Sequence, residues 1–291
     1  MRELDPSRPL LVMGGPYSNL RATEALRRLA GERDIPPSHV VCTGDVVAYC
    51  AEPVETAALV RDWGCHTIGG NCEEQLAAGA ADCGCNFAEG SACDRLAKGW
   101  YPFANALLPT DLRTWMAGLP ATLVLRYGGL TFRVVHGGVD ETARWVFASE
   151  TEKLAEETAR AGTDVVLAGH CGVPFLARAG GKTWFNSGAL GMPANDGTPD
   201  VRYGLVTASP DGAIRLSTHR LAYDHQGAAA AMRRSGHANP YARALVTGLW
   251  PSLDVLPPAE RAATGQRLRE RSLVLRPRRT AMRTGATAPA L

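Results

Sequence analysis

His39-Val40-Val41-Cys42-Thr43-Gly44-Asp45 is a β-branched and apolar run that ends on a glycine and a carboxylate. Such a run reads as a strand, with the aspartate set in the loop that follows it. The pattern recurs three times. Residues 65–68 lead into Gly70-Asn71-Cys72-Glu73, residues 130–135 into His136-Gly137, and residues 164–168 into Gly169-His170-Cys171-Gly172. Four strand ends therefore deliver Asp45, Asn71, His136 and His170, whose carboxylate, amide and imidazole groups suit one hard-to-borderline metal ion. The adjoining glycines let the backbone turn sharply and let an ion or a phosphate come close.

Working outward, residues 10–13 form a first strand and 19–32 a helix with apolar residues near helical spacing. Residues 53–63 form a helix with proline at its start, and 94–104 and 110–117 two more. The pattern then changes. Gly128-Gly129 joins strands 122–127 and 130–135 as a hairpin, a charged helix spans 150–160, and hairpins follow over 174–185 and 201–219. Helix-linked strands first and hairpins afterwards predict two packed sheets with helices outside. Beyond residue 220, three segments at 222–235, 240–249 and 258–269 read as helices, and the last stretch is rich in arginine, as expected of a basic tail. Trp250 and the apolar Leu253-Val255-Leu256 stretch need cover, either over the mouth of a site, at a homodimer interface, or as a passive buttress.

In this order and spacing the motifs resemble the signature of the calcineurin-like metallophosphoesterases, in the branch of small bacterial phosphodiesterases, across residues 9–210. The resemblance implies an α/β fold, a four-layer αββα sandwich of two mixed sheets. The expected organisation is a metallophosphoesterase-like domain at 1–220, followed by a helical appendage at 221–270 and a basic tail at 271–291. It also implies a metal-dependent phosphoesterase, in which Asp bridges two ions and Asn with two His complete one shell. Asp45, Asn71, His136 and His170 stand at the bridging and second-metal positions. The other shell is depleted: Gly14-Gly15-Pro16-Tyr17-Ser18-Asn19 stands where the family has Asp-x-His-Gly-Asn, and Gly172 where it has its last His. Cys72 replaces the family's general-acid His, and Glu73 follows where an acidic residue orients that His. Tyr17, Cys72 and Glu73 are accordingly the candidates for contact with the reacting oxygens, and Fe, Zn or Mn the candidate ions. A small phosphate ester is the expected substrate. The alternative is a non-hydrolytic metal or thiol protein, or a phosphate-ligand-binding protein, on the same scaffold.

The chain has 291 residues with a formal net charge of +2, which gives no electrostatic case for nucleic acid as a partner. No apolar run reaches the length of a membrane span, so a membrane role is not expected and a cytoplasmic location is the default. Eight cysteines in a reducing compartment favour metal binding or reactivity over a disulfide framework. Cys50, Cys83, Cys85 and Cys93 form a candidate second, Cys-bound metal site, whereas Cys42 and Cys65 read as core. The remaining histidines, His39, His66, His219, His225 and His237, have no motif context.

Overall fold

The computed structural model of the chain describes residues 1–236 and 240–277; His237 and the tail beyond residue 277 lie outside the described residues. Two six-stranded mixed sheets carry the fold. The first has the order β1 (Arg2–Leu4), β5 (Leu123–Tyr127), β6 (Leu130–Val134), β7 (Val165–Ala168), β9 (Lys182–Asn186) and β8 (Phe175–Ala179). The second has the order β12 (Ser272–Leu275), β11 (Ile214–Leu221), β10 (Val201–Ala208), β2 (Leu10–Met13), β3 (Val40–Cys42) and β4 (His66–Thr67).

The central strands read as continuous apolar runs because both of their faces are covered. Leu10 and Val12 of β2, Val41 of β3, and Val165 and Leu167 of β7 point between the sheets, where they meet Leu125, Phe132, Phe185, Val206 and Ile214. Their alternate neighbours Leu11, Met13, Val40 and Cys42 face a second core with α1 (Leu20–Glu32), α2 (Pro53–Trp63) and α3 (Asn71–Ala78). That core also takes in α4 (Ala92–Leu107) and α5 (Thr110–Ala117). Val166 and Ala168 face a third core built with α6 (Thr151–Ala161). The result is the expected four-layer αββα sandwich. β2, β3 and β4 run parallel, as do β6, β7 and β9, so the loops after β2, β3, β4, β6 and β7 emerge at one end of the molecule.

Two elements follow β11 and return over the helical face: α7 (His225–Arg234) and α8 (Pro240–Thr247). A five-residue helix, α9 (Pro258–Ala262), comes next, and β12 then pairs antiparallel with β11. The arginine-rich stretch read as tail thus begins with an edge strand. No helix among the described residues is long and apolar enough to cross a membrane.

Candidate metal centre

The loop after β3 places Asp45 with its backbone in the left-handed region (φ 55°), and the loop after β7 does the same for His170 (φ 59°). Non-glycine residues hold that conformation only where their surroundings enforce it. For Asp45 the enforcing group is Glu73, fully buried in the first turn of α3. Its Oε2 accepts the N–H groups of Asp45 (2.7 Å) and Gly70 (2.9 Å), and its Oε1 those of Val46 (2.8 Å) and Val47 (3.3 Å). Burial, and then the negative charge of Asp45, push the Glu73 carboxyl up to about 7. Gly70 is a requirement of space: a Cβ there would lie 2.4 Å from Asp45 Oδ1 and 2.9 Å from the His136 ring.

The four strand-end ligands converge. His136 Nε2 lies 3.1 Å from Asp45 Oδ2, 3.1 Å from Asn71 Oδ1 and 3.0 Å from His170 Nδ1. The other ring nitrogen, Nδ1, is 2.7 Å from the Thr43 carbonyl and must donate to it, which leaves Nε2 as a lone pair in the neutral ring. A carboxylate oxygen, an amide oxygen and two imidazoles then crowd one buried point, an arrangement that needs a cation or an extra proton. Burial, and then the neighbouring His136 ring, lower the His170 ring to about 3, and its Nε2 is a buried nitrogen with no hydrogen-bond partner. Burial raises the Asp45 carboxyl, but His136, together with His170 and the Cys72 N–H, more than offsets this and holds it below the ordinary range. The residues fit a bound metal ion: among the described residues, Asp45, His136 and His170 are the group whose ligand atoms all lie within 4.8 Å of one another.

Aromatic rings fill the space beside them. Tyr17 folds back over Gly15, so that a Cβ on Gly15 would come 2.3 Å from the Tyr17 ring. Trp250 stands against Gly172 in the same way, 3.2 Å from where a Cβ would sit, and is held by hydrogen bonds to the Pro193 carbonyl and Asn195 Oδ1. Trp145 packs on His170 with ring centroids 4.1 Å apart. With Tyr49 and Tyr241 these rings line a cavity of about 50 Å³ that reaches His170 and contains no Asp, Glu, Lys or Arg. Spacing alone gave no sign of Trp145, Tyr49 or Tyr241, which arrive from three unrelated loops and helices; only Trp250 was marked by its need for cover.

The cysteines separate into groups. Cys72 follows Asn71, with its N–H 3.3 Å from Asp45 Oδ1, and its sulfur contacts Cys85, which in turn contacts Cys83. Cys50 lies with its sulfur 3.8 Å from the Gly191 carbonyl, and Cys93 sits beside Ser252. Cys42 is in the core and Cys65 is half-buried beside Thr67.

Comparison with known proteins agrees with this fold. The profile of the calcineurin-like phosphoesterase superfamily domain matches residues 18–210. Among solved structures, a metallophosphoesterase from Sphaerobacter thermophilus is similar at 21% identity and a TM-score of 0.65, over 84% of this chain and 100% of that one. A hypothetical protein from Pyrococcus horikoshii OT3 is similar at 15% identity and a TM-score of 0.69, over 82% of this chain and 98% of that one. At these identities the likeness concerns the fold. No curated protein matches.

Proposed function

The chain belongs to the calcineurin-like phosphoesterase superfamily, and on that footing we propose that it is a metal-dependent hydrolase of phosphate diesters whose ion is held by Asp45, Asn71, His136 and His170. The observation that carries this is the convergence of those four donors on His136 Nε2 within 3.1 Å. The donor set of one carboxylate, one amide and two imidazoles suits Mn, Fe or Zn. When bound, such an ion supplies a Lewis acid for a phosphoryl oxygen and acidifies a coordinated water.

The chain's own residues do the rest. Thr43 fixes the His136 tautomer through its carbonyl, and Glu73 holds the Asp45 loop in its strained conformation. The aromatic walls exclude water from the reacting groups. Because no cationic side chain lines the cavity, a dianionic monoester would enter with nothing to balance its second charge, whereas a diester carries one charge and an apolar substituent that the rings accept. Tyr17, which lines the cavity, and Cys72, whose N–H lies 3.3 Å from Asp45 Oδ1, are the groups available to contact the bridging or leaving oxygen. Space for only a few waters means that rings lining the cavity must move aside for substrate.

The test is metal content by plasma emission on protein purified without chelator, beside turnover of bis(4-nitrophenyl) phosphate and 4-nitrophenyl phosphate. We expect a retained ion that Asp45→Ala loses, and a diester rate at least about tenfold above the monoester rate, abolished in the same variant. Preserved activity in Asp45→Ala would sink the proposal. The filling of Gly15 and Gly172 by rings favours one second reading, a scaffold that binds phosphate-containing ligands without turning them over. Metal and diester binding without hydrolysis would select it.

A further inference from the structure

We propose that Cys83 and Cys85 form a thiol–disulfide exchange site for low-molecular-weight disulfides, coupled through Asn71 to the metal centre proposed above. The sulfurs of Cys83 and Cys85 are 2.8 Å apart, and Cys85 also contacts Cys72, so three thiols run in a row with Cys85 at the middle. Gly84, in the left-handed region at φ 64°, folds the turn that brings the pair together. Both sulfurs belong to the stretch between α3 and α4 that has neither helix nor strand. Closing to a disulfide length of about 2.05 Å therefore asks for a small movement of a segment that no ladder holds.

Access is through a second cleft, which shares Phe87 with the aromatic cavity. Cys83 and Cys85 line a cleft of about 420 Å³ together with Asp82, Asn86, Glu89 and Lys98, large enough for a small disulfide. Cys83, the outer sulfur of the row, is assigned the attack, since Cys85 lies between it and Cys72 and already receives the Asn71 amide at 3.2 Å. In the first step the Cys83 sulfur bonds to one sulfur of the small disulfide and loses its proton to water. The S–S bond of the reagent breaks, and one small thiol departs. In the second step Cys85 attacks the Cys83 sulfur, forms the Cys83–Cys85 bond and releases the second small thiol. Two electrons and two protons thus pass from the protein dithiol to the reagent, which leaves as two thiols.

The consequence reaches the metal ligands because Asn71 Nδ2 is anchored by this turn, donating to the Cys83 carbonyl at 2.7 Å and to Cys85 Sγ, while its Oδ1 faces His136. Drawing the two sulfurs together removes an acceptor from that amide and shifts the carbonyl that orients it.

The test uses the reduced full-length chain treated with bis(2-hydroxyethyl) disulfide, followed by alkylation, intact mass and fragmentation. Alkylatable thiols are expected to fall from eight to six with the new bond located at Cys83–Cys85. Cys85→Ser should stop at a mixed disulfide on Cys83, and Cys93→Ser should close as the unaltered chain does. Eight alkylatable thiols after treatment, or a bond located elsewhere, would overturn the site; this mapping on the unaltered chain decides the matter even where Cys85→Ser fails to fold. For the coupling, the oxidised chain is expected to bind Mn²⁺ about tenfold more weakly than the reduced chain, and equal affinities would overturn it. The thiol count is independent of hydrolysis, so a failure of the phosphoesterase reading leaves it untouched.

Discussion

The family resemblance sets Gly15 and Tyr17 at two ligand positions, and in the structure the two residues pack against each other. The Tyr17 ring, buried and edge-on to Tyr49 at 4.8 Å, occupies the room that a side chain on Gly15 would need. An aspartate at 15 alone therefore meets a ring that has nowhere to go, and adds a carboxylate beside Asp45. We expect Gly15→Asp to cost about 3 kcal/mol through overpacking and an unpaired buried charge. In the double variant Gly15→Asp, Tyr17→His the smaller ring should restore the room and both ligand atoms. Urea unfolding and metal content check this: the single variant should be the less stable of the two, and the double variant should take up one more ion than the unaltered chain. A Gly15→Asp variant as stable as the unaltered chain would show that the ring yields freely.

At the scale of elements, α3 is the decisive piece, and it was the piece least legible. Residues 39–45 and 164–170 announced themselves because a strand buried on both faces is apolar throughout and then stops at glycine. Asn71 was legible as a ligand, yet the helix that starts on it was not, because its N-cap is a glycine with no side chain to offer and it comes soon after a two-residue strand. β1 and β12 escaped for a similar reason, being short edge strands whose partners are distant in sequence. With α3 in view, Glu73 becomes the clamp of the Asp45 loop: four buried N–H groups converge on its carboxylate. Glu73→Ala leaves all four without an acceptor. The expected cost is about 3 kcal/mol or more in denaturant unfolding, together with a loss of about tenfold or more in Mn²⁺ affinity by calorimetry. Unchanged metal affinity in a folded Glu73→Ala protein would show that the Asp45 loop holds its shape unaided.

Over the whole molecule, the segment after β11 reaches back to the site, and one buried carboxylate ties it down. Asp196 Oδ2 pairs with Arg202, buried like itself, and accepts from Arg220 (3.3 Å) and the Leu268 N–H (3.0 Å), while Oδ1 accepts from Thr198 (2.6 Å). Its neighbour Asn195 holds the Trp250 N–H, so the same loop seats the ring that faces Gly172. Asp196→Asn leaves the Arg202 guanidinium buried without an anion, a loss of about 3 kcal/mol, and should loosen Trp250, visible as a red shift in its emission. Burial raises the Asp196 carboxyl, but Thr198, Leu268 and Arg202 more than offset this and hold it below the usual carboxylate range. A carboxyl whose folded value lies below its unfolded value of about 4 contributes its stability above that pH and loses it as pH falls through the folded value. The stability gap between the unaltered chain and Asp196→Asn should therefore be full at neutral pH and shrink below about pH 4. A gap that stays constant on acidification would mean that the charge of Asp196 is not what binds the C-terminal segment to the sheet.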